Sequence, residues 1–570
     1  MLASPTGSAL RIHRCGSGLR ICPADPACGS GLRICPADPT ENLRRSPLFI
    51  FDLLRASARA HPDKPAAIFP DASITFGDLD GQSDKVAAAL KARGLGPGDH
   101  VAILSDNSLP SLVYFWGILK AGAQSVDMPT LAGAATLASV LAEAGPAGIV
   151  IDPKQLGKHG GPDGLSLPEH VFTTQAAQAT ADEQGRQVIT LEALLAEAGA
   201  EAGAGAAAPQ PAVTPQDVAM IVYTSGTTGR PNGVMLSHEN FVTNLQASNE
   251  LMGLTADDSI LVVVPLYYIH GRMQLLMHAM TGGTVVFSAG FTFPAKVHKE
   301  LCDSGVSGFS GVPYHFKQLL DRSKLAKQPP PKLRYVLITG GALSPSSLER
   351  LNEALPNTGI HLAYGQTEAA PRITWIGPEE LFVKRGSVGR ALGNVTLEIL
   401  GPNEEPVGPD IVGEVAAGGP NIMKGYVSGD ERELGKIDAQ GRLRTGDLGR
   451  VDADGHLFLV GRSSEMIKSA GERIFPQEIE DVLQQLDGVA EVAVIGLPDE
   501  TLGERIVAYL IAKPGHTLER PQLKAHCLAA MPFVRVPKEF VVVDQLPQTA
   551  SGKVSRSKLK KQILAELVGG

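Results

Sequence analysis

The sequence predicts an α/β fold, with a large N-terminal domain of layered βαβ units plus a β subdomain, followed by a small α+β C-terminal domain. Helical and strand patterns alternate from about Pro47 onward, which is typical of parallel βαβ layers. Short apolar runs and turn pairs dominate 389–460, and the stretch from Gly461 has a helix and strands of its own. Because 570 residues exceed the roughly 250 to 300 at which one hydrophobic core stops growing, at least two domains are expected.

The individual elements follow from two periodicities. Phe51–Ala60 carries apolar residues at helical spacing, Leu79–Arg93 has an amphipathic pattern, and Ala66–Phe69 and Val101–Leu104 are apolar runs of strand length. Further helices are predicted at Leu112–Ala121, Leu137–Glu143, Lys296–Asp303, His315–Arg322 and Ile479–Leu486. Further strands are predicted at Gly148–Ile151, Val218–Val222, Leu261–Val264, Val285–Phe287, Tyr335–Thr339, Ile360–Ala363, Ala490–Ile495, Val507–Ile511 and Phe540–Val543.

These patterns divide the chain. Residues 1–44 are predicted to be a disordered leader, which contains a 13-residue tandem repeat beginning at Cys15 and again at Cys28. The large domain is expected over 45–460, with an Ala/Gly/Pro surface linker at 201–212, and the small domain over 461–570. No apolar segment typical of a secretory signal follows the N-terminus.

The cysteines are concentrated in the leader, which holds four of the six. One interpretation is a zinc site. The spacing arises from copying one segment, however, and differs from the Cys-x2-Cys pairs that bind zinc, so a disordered leader or a mis-assigned start codon is the favoured interpretation. The remaining body is poor in thiols, which indicates a cytoplasmic protein.

Composition excludes several classes of protein. Apolar residues make up 43% of the chain and charged residues 19%, as in ordinary soluble α/β enzymes. The net charge of −9 argues against a nucleic-acid partner, which requires basic surface. No run of about 18 apolar residues occurs, so no transmembrane segment is predicted.

The most informative motif is the loop at 223–233, Tyr-Thr-Ser-Gly-Thr-Thr-Gly-Arg-Pro-Asn-Gly, directly after an apolar strand candidate. Its glycines bring backbone N–H groups close to an anion, and its hydroxyls add donors, so it is predicted to hold phosphate. It lacks the Gly-Lys-[Ser/Thr] ending of the Walker motif. The loop resembles the signature of the adenylate-forming superfamily, the acyl-CoA synthetases and their relatives. Asn232 departs from that signature, which has lysine there.

The resemblance extends over about 45–560 and implies a reaction. A carboxylic acid would be activated as acyl-AMP by ATP and Mg²⁺ with release of pyrophosphate, and then transferred to the thiol of coenzyme A. It also implies that the small C-terminal domain is mobile and rotates between the two steps.

Further motifs appear in the order that the family has them. Ala363 to Glu368 resembles the second signature, in which Tyr364 would stack on adenine, Thr367 would contact the AMP phosphate and Glu368 would bind Mg²⁺; Thr224 is the second predicted metal ligand and a catalytic residue. By this resemblance the ATP/AMP-binding residues are Thr224, Ser225, Gly226, Thr227, Thr228, Gly229, Gly340, Gly341, Ala342, Tyr364, Gly365, Gln366, Thr367, Asp447, Arg462 and Lys553.

Three of these motifs concern the C-terminal part of the large domain and the small domain. Thr445-Gly446-Asp447 resembles the ribose clamp, since a carboxylate accepts from two vicinal hydroxyls. Gly461 to Lys468 resembles the hinge motif, with Ser464 at the pivot where Asp or Lys is usual. Lys553 is predicted to be the catalytic lysine at the acyl-phosphate junction, and Lys468 and Gly471 would line the thiol tunnel.

The acid pocket is predicted from the same resemblance. Its side chains would be Tyr267, Tyr268, His270, Val312 and Tyr314, with the backbone near Gly340 and Gly365. Amino-acid-activating relatives offer an aspartate in the first of these segments, and none occurs between Pro265 and Gln274. A fatty, aryl or short organic acid is therefore favoured, consistent with a role such as fatty acid metabolism.

The acceptor and one alternative stay open. Both free coenzyme A and the phosphopantetheine of an acyl carrier protein present the same thiol, and no carrier segment follows Lys553. Because Asn232 and Ser464 depart from the family pattern, a non-catalytic acyl-adenylate-binding relative is the alternative from a different class.

Overall fold

The computed structural model describes residues 49–159, 164–174, 187–201, 210–225, 231–341, 343–429, 436–548 and 554–569. The predicted leader, most of the 201–212 linker, Gly226–Gly229 of the phosphate loop, Ala342 and Lys553 lie outside these ranges. Within them, the chain from Pro47 onward belongs to one compact unit. The domain bounds 45–460 and 461–570 stay predictions.

Each helix predicted from helical spacing is present within a few residues of its predicted ends, and the structure has further helices that the spacing did not predict. In chain order the described α-helices are α1 (Ile50–Ala60), α2 (Phe76–Ala92), α3 (Leu109–Ala121), α4 (Ala134–Ala144), α5 (Pro153–His159), α6 (Leu191–Glu201), α7 (His238–Met252), α8 (Ile269–Thr281), α9 (Pro294–Ser304), α10 (Pro313–Arg322), α11 (Pro345–Ala354), α12 (Pro378–Leu381), α13 (Pro476–Leu483), α14 (Arg520–Ala530) and α15 (Arg556–Gly569). None of the helices in the described part of the chain is long and apolar enough to cross a bilayer.

The strands are mostly short. In chain order they are β1 (Pro65–Ile68), β2 (Ser73–Thr75), β3 (His100–Leu104), β4 (Gln124–Asp127), β5 (Gly148–Ile151), β6 (His170–Thr173), β7 (Val188–Thr190), β8 (Val218–Ser225), β9 (Pro231–Ser237), β10 (Ser259–Val262), β11 (Thr284–Phe287), β12 (Gly308–Gly311), β13 (Tyr335–Thr339), β14 (Gly359–Gly365), β15 (Arg372–Ile376), β16 (Arg390–Ala391), β17 (Thr396–Leu400), β18 (Gly413–Gly418), β19 (Gly425–Tyr426), β20 (Leu443–Val451), β21 (Leu457–Arg462), β22 (Ile467–Ser469), β23 (Glu472–Ile474), β24 (Val489–Asp499), β25 (Gly503–Ala512) and β26 (Glu539–Val542).

Among the described strands, two large sheets carry the N-terminal part. One has eight strands in the order β19-β9-β8-β4-β3-β5-β6-β7, and the other has nine in the order β16-β15-β14-β13-β12-β10-β11-β1-β2. Their central strands pair in parallel, as expected for βαβ units. The main hydrophobic core includes residues from both sheets and from α1, α2, α3, α7 and α8. These helices therefore share one core with the two sheets.

Helix α3 shows why a segment of this sequence is buried on every side. It begins after Ser108, which caps it by accepting from the backbone of Ser111, and it ends at Gly122, whose φ of 89° closes the last turn. From Ser111 onward each of its residues is buried. A helix that is apolar all round must lie inside a protein, and α3 does.

Two smaller sheets complete the fold. β17, β18, β20 and β21 form an antiparallel sheet, which corresponds to the predicted β subdomain. β22 to β26 form a separate five-stranded sheet with its own apolar cluster under α13 and α14. The predicted fold class, an α/β protein with a large N-terminal and a small C-terminal domain, is confirmed.

Candidate active site

The phosphate loop is held between two strands of the eight-stranded sheet. β8 extends to Ser225, beyond the predicted strand end, and β9 returns antiparallel with Thr224 opposite Asn232. Asn232 therefore lies in a strand ladder and not in the loop itself. The ladder fixes both ends of the loop whose middle, 226–230, lies outside the described residues.

The second and third signatures meet at the end of β14. The Tyr364 hydroxyl donates to Asp447 Oδ2 at 2.7 Å, and Arg462 Nε donates to Asp447 Oδ1 at 2.9 Å. Asp447 and Arg462 are opposite residues of the β20–β21 hairpin, which explains how side chains from distant parts of the sequence converge. Burial and the Asp447 carboxylate raise the pKa of the Tyr364 phenol, so it stays a neutral donor.

These contacts leave Asp447 able to bind more donors. A carboxylate offers about four lone-pair sites, and Tyr364 and Arg462 occupy one on each oxygen. The side-chain nitrogen of Gln366, on the same motif, is buried and has no hydrogen-bond partner among the described residues. The arrangement therefore fits a ligand that brings hydroxyls to Asp447 and an acceptor to Gln366.

Glu368 lies in a short 3-10 turn, Thr367–Ala369, and is 9% exposed. Its Oε1 accepts a hydrogen bond from the Tyr426 hydroxyl at 2.8 Å. Because Tyr426 pairs with Val234 of β9, Glu368 is tied to the strand that leaves the phosphate loop. A carboxylate near a phosphate loop is the type of oxygen ligand that Mg²⁺ takes.

Lys436, a lysine outside the sequence motifs, also interacts with the predicted nucleotide-binding residues. The Lys436 ammonium donates to the backbone oxygen of Thr445 at 3.1 Å. Burial lowers the pKa of Lys436, while Glu368 and Asp447 act in the opposite direction, so the ammonium lies among the predicted nucleotide ligands. Sequence reasoning missed it because no local pattern distinguishes a half-buried lysine from a solvated one.

Backbone conformation and lack of space explain why two positions of the predicted site are glycine. Gly340 has a φ of 80°, a conformation that favours glycine. A Cβ on Gly365 would lie 1.9 Å from the backbone oxygen of Pro371, so any side chain there would collide with backbone. Gly341 packs against Pro313, and a Cβ there would make only an ordinary van der Waals contact, 3.4 Å from Cγ of that proline.

The predicted acid-pocket residues lie at the starts of two helices, with Tyr267, Tyr268 and His270 at α8 and Val312 and Tyr314 at α10. The rings of Tyr267 and Tyr268 lie 4.6 Å apart, and His270 Nε2 lies 2.7 Å from the hydroxyl of Ser310 on β12. Val312 precedes α10 and is nearly buried, whereas Tyr314 is 37% exposed and packs against Phe291. Helix α8 is attached to the eight-stranded sheet by a buried ion pair between Arg272 and Asp127, 2.7 Å apart.

The predicted hinge and thiol-tunnel residues lie on the surface. Ser464 is exposed in the turn after β21, and Lys468 is exposed in β22. Gly471 has a φ of 83° and, among the described residues, open space where a side chain would be. Lys468 and Gly471 therefore face solvent.

A second group of possible metal ligands, Asp452, Asp454 and His456, lies in the turn between β20 and β21. The Lys384 ammonium forms ion pairs with both aspartates. The ammonium offsets one of the two negative charges, and exposed acidic groups like these are common without a bound ion.

Comparison with known proteins agrees with this geometry. The family described as AMP-binding enzyme matches residues 54–427, and its C-terminal domain, the AMP-binding enzyme C-terminal domain, matches 478–553. A CoA ligase for 3-[(3aS,4S,7aS)-7a-methyl-1,5-dioxo-octahydro-1H-inden-4-yl]propanoate from Rhodococcus jostii is 34% identical over 89% of this chain and 98% of its own. Indoleacetate–CoA ligase of Aromatoleum aromaticum is 32% identical over 89% and 96% of the two chains.

Solved structures show the same fold. The o-succinylbenzoate CoA synthetase of Bacillus subtilis, in complex with its acyl-adenylate intermediate, has a TM-score of 0.75 at 27% identity over 89% of this chain and 97% of its own. ATP-bound MatB from Rhodopseudomonas palustris has a TM-score of 0.78 at 26% identity, covering 90% and 99%. The fold and site define an ATP-dependent acid–thiol ligase that acts through an acyl-adenylate. The chain belongs to the AMP-binding enzyme family.

Proposed function

We propose that this enzyme activates an organic, fatty or aryl carboxylic acid with ATP and Mg²⁺ and transfers the acyl group to free coenzyme A. The observation that carries the proposal is the convergence of Tyr364, Asp447 and Arg462 beside Glu368, since these groups suit a nucleotide and its metal. Relatives that resemble the chain over their whole length are CoA ligases, which favours CoA over a carrier protein.

The residues have distinct proposed roles. Asp447 would accept from the ribose hydroxyls, with Arg462 and Tyr364 fixing the orientation of its carboxylate. Glu368 and Thr224 would hold Mg²⁺, which when bound neutralises charge on the phosphates. Thr224, Ser225 and the loop 226–229 would hold the leaving pyrophosphate.

The reacting centre requires positive charge, because a carboxylate must approach an equally negative α-phosphate. Lys553 is the proposed source, supplied by the C-terminal domain. Lys436 would add a second ammonium from the large domain, which offsets the replacement of the signature lysine by Asn232. The electrostatic influence of Glu368 and Asp447 on Lys436 supports this role.

The C-terminal domain would rotate between the two half-reactions about Ser464. The exposure of Lys468 and Gly471 supports assigning the described arrangement to a stage other than thioester formation, in which this loop would line the thiol tunnel.

Product analysis tests the proposal. The full chain is incubated with ATP, Mg²⁺ and a panel of carboxylic acids, followed by CoA or a holo acyl carrier protein, and products are identified by mass spectrometry. AMP and an acyl-CoA thioester are expected. A thioester on the carrier protein alone would reassign the acceptor, and ADP instead of AMP would refute the proposed chemistry.

A further inference from the structure

Arg372, the first residue of β15, is a buried cation for which the described residues provide no acidic partner. The residue is only 4% exposed, and its Nη1 atom has no hydrogen-bond partner within the described part of the chain. Burial lowers the pKa of Arg372 to about 10, and the neighbour that opposes this effect is the phenol of Tyr335 and not a carboxylate. The guanidinium lies 5.4 Å from the ring centroid of Trp375, which accounts for only part of its stabilisation.

Burying a charged guanidinium without an acidic partner lowers the stability of a fold. Arginine remains protonated in proteins, and a buried charge is normally paired or hydrogen-bonded. The guanidinium has five N–H donors directed in a planar fork, which suits oxygen acceptors on a flat group. A buried arginine with an unsatisfied donor is therefore a reason to look for a ligand.

A line of polar side chains leads from the predicted acid pocket toward this arginine. His270, Gln274 and His278 are spaced four residues apart on α8, so they share one face over about 12 Å of helix. Both Gln274 and His278 are almost fully buried, and Gln274 Oε1 also has no partner among the described residues. This buried face of α8 is therefore polar along the line of the three residues.

The far end of the line reaches Arg372 through Tyr335. His278 Nε2 lies 3.3 Å from the Tyr335 hydroxyl, and Tyr335 and Arg372 lie close enough to affect each other's pKa. At the near end, His270 contacts Ser310 of β12. Two residues earlier on the same strand is Gly308, and the Tyr335 ring occupies the space that a side chain of residue 308 would need.

Arg372 also borders the adenylate site directly. It is the strand partner of Gly365, and a Cβ on Gly365 would lie 3.0 Å from the Cα of Arg372. The same short turn, from Gly365 to Arg372, thus carries the nucleotide signature at one end and the buried cation at the other.

We infer that the substrate acid carries a second oxygen acceptor, at the end opposite its reacting carboxylate, and that the guanidinium of Arg372 holds it. A distal carboxylate would match the charge of Arg372, and a distal ketone would match only its N–H donors. The inference rests on the proposed function and names the substrate class for the same site.

The test compares acids that differ only at the far end. Acid-dependent ATP–pyrophosphate exchange is measured for glutarate, levulinate and pentanoate, for suberate and octanoate, and for terephthalate, para-acetylbenzoate and para-ethylbenzoate. In the best set, the acid with the distal acceptor should exceed its apolar counterpart in kcat/KM by about 100-fold or more, because a site built for a polar group rejects the analogue that lacks it. Preference for the dicarboxylate over the keto acid identifies a charged acceptor, and the reverse identifies a neutral one.

Variants assign the preference to Arg372. Arg372→Met should reduce the advantage of the polar acid to within about threefold of the apolar one, through the KM of the acid and with the KM of ATP unchanged. Arg372→Lys, which keeps the charge, should retain part of the preference and controls for misfolding of the methionine variant. The matched control Arg390→Met removes an exposed arginine of the same sheet, paired with Glu380, and should leave the preference intact.

Two outcomes separate the inference from the proposed function. If apolar acids are used as well as their polar counterparts, or if the preference persists in Arg372→Met, the assignment of Arg372 is wrong while the ligase remains. If no acid supports exchange although ATP binds, the proposed function itself fails.

Discussion

At the scale of single residues, Lys436 is the group that local sequence could not reveal. Its ammonium is fixed by Thr445 and lies among the carboxylates predicted to bind ribose and metal. The motif residues Tyr364, Glu368, Asp447 and Arg462 were predictable because each belongs to a local signature. Lys436 and Arg372 were not, because their significance comes from burial and from neighbours distant in sequence.

Replacing Lys436 by methionine should raise the KM for ATP about tenfold, since one charge-assisted contact to phosphate contributes roughly 1.5 kcal/mol. Steady-state kinetics with ATP varied measures this. The KM of the acid should change much less, and an unchanged KM for ATP would show that Lys436 only braces the Thr445 turn.

The lowered pKa of Lys436 adds a pH dependence. Because the charged form is the one that binds phosphate, kcat/KM for ATP should fall as pH rises through this pKa, which lies below the ordinary lysine value of about 10.4. In Lys436→Arg the fall should move to higher pH. A pH profile identical in wild type and in Lys436→Arg would contradict the assignment.

Asn232→Lys restores the residue that the family signature has. It should lower the KM for ATP, with a smaller change for the acid, because a lysine on β9 would add charge beside Thr224. Kinetics of the single and of the Asn232→Lys, Lys436→Met double variant measure whether the two positions substitute for one another. An unchanged or raised KM in the single variant would mark Asn232 as a structural strand residue.

At the scale of elements, the periodicities located β5 and β13 at their observed residues, and they located the helices that they predicted to within a few positions. Both strands lie in parallel parts of the sheets, where strands are buried on both faces and are therefore short apolar runs in the sequence. The pattern missed β9, because Pro-Asn-Gly is typical of a turn, and its strand conformation depends on pairing with β8. The polar face of α8 was also missed, because its side chains find their partners on β12 and β13, which are distant in sequence.

Helix α8 is held in place by its buried ion pair with β4. Asp127→Asn should lower the free energy of unfolding by about 3 to 5 kcal/mol, because it leaves the Arg272 charge buried without a counter-charge. Denaturant unfolding measures the change. Asp410→Asn, which removes the acid of the exposed pair with Arg450, should cost no more than about 1 kcal/mol. Equal effects of the two substitutions would show that the buried pair has no special role.

At the scale of the whole molecule, a contact joins the small domain to the segment predicted to line the acid pocket. The Lys317 ammonium on α10 donates to the backbone oxygen of Ala490 at 2.6 Å. If the C-terminal domain rotates between half-reactions, this bond exists in one arrangement and is broken in the other.

Lys317→Met should therefore affect the two half-reactions differently. We expect ATP–pyrophosphate exchange to fall by about two- to tenfold, the range that one hydrogen bond contributes, while thioester formation from supplied acyl-adenylate is not slowed. Lys299→Met, on the exposed face of α9, is the control. A proportional loss in both half-reactions would argue against a contact specific to one arrangement.

The central claim is that the chain forms an acyl-adenylate with charge supplied by Lys553, and acid-dependent ATP–pyrophosphate exchange tests it most directly. The wild-type chain should show exchange only when a suitable carboxylic acid is present. Lys553→Ala should reduce that exchange by about 100- to 1,000-fold, as expected for the loss of a group that stabilises developing charge. Exchange that no acid stimulates, or exchange in Lys553→Ala within about threefold of wild type, would contradict this account.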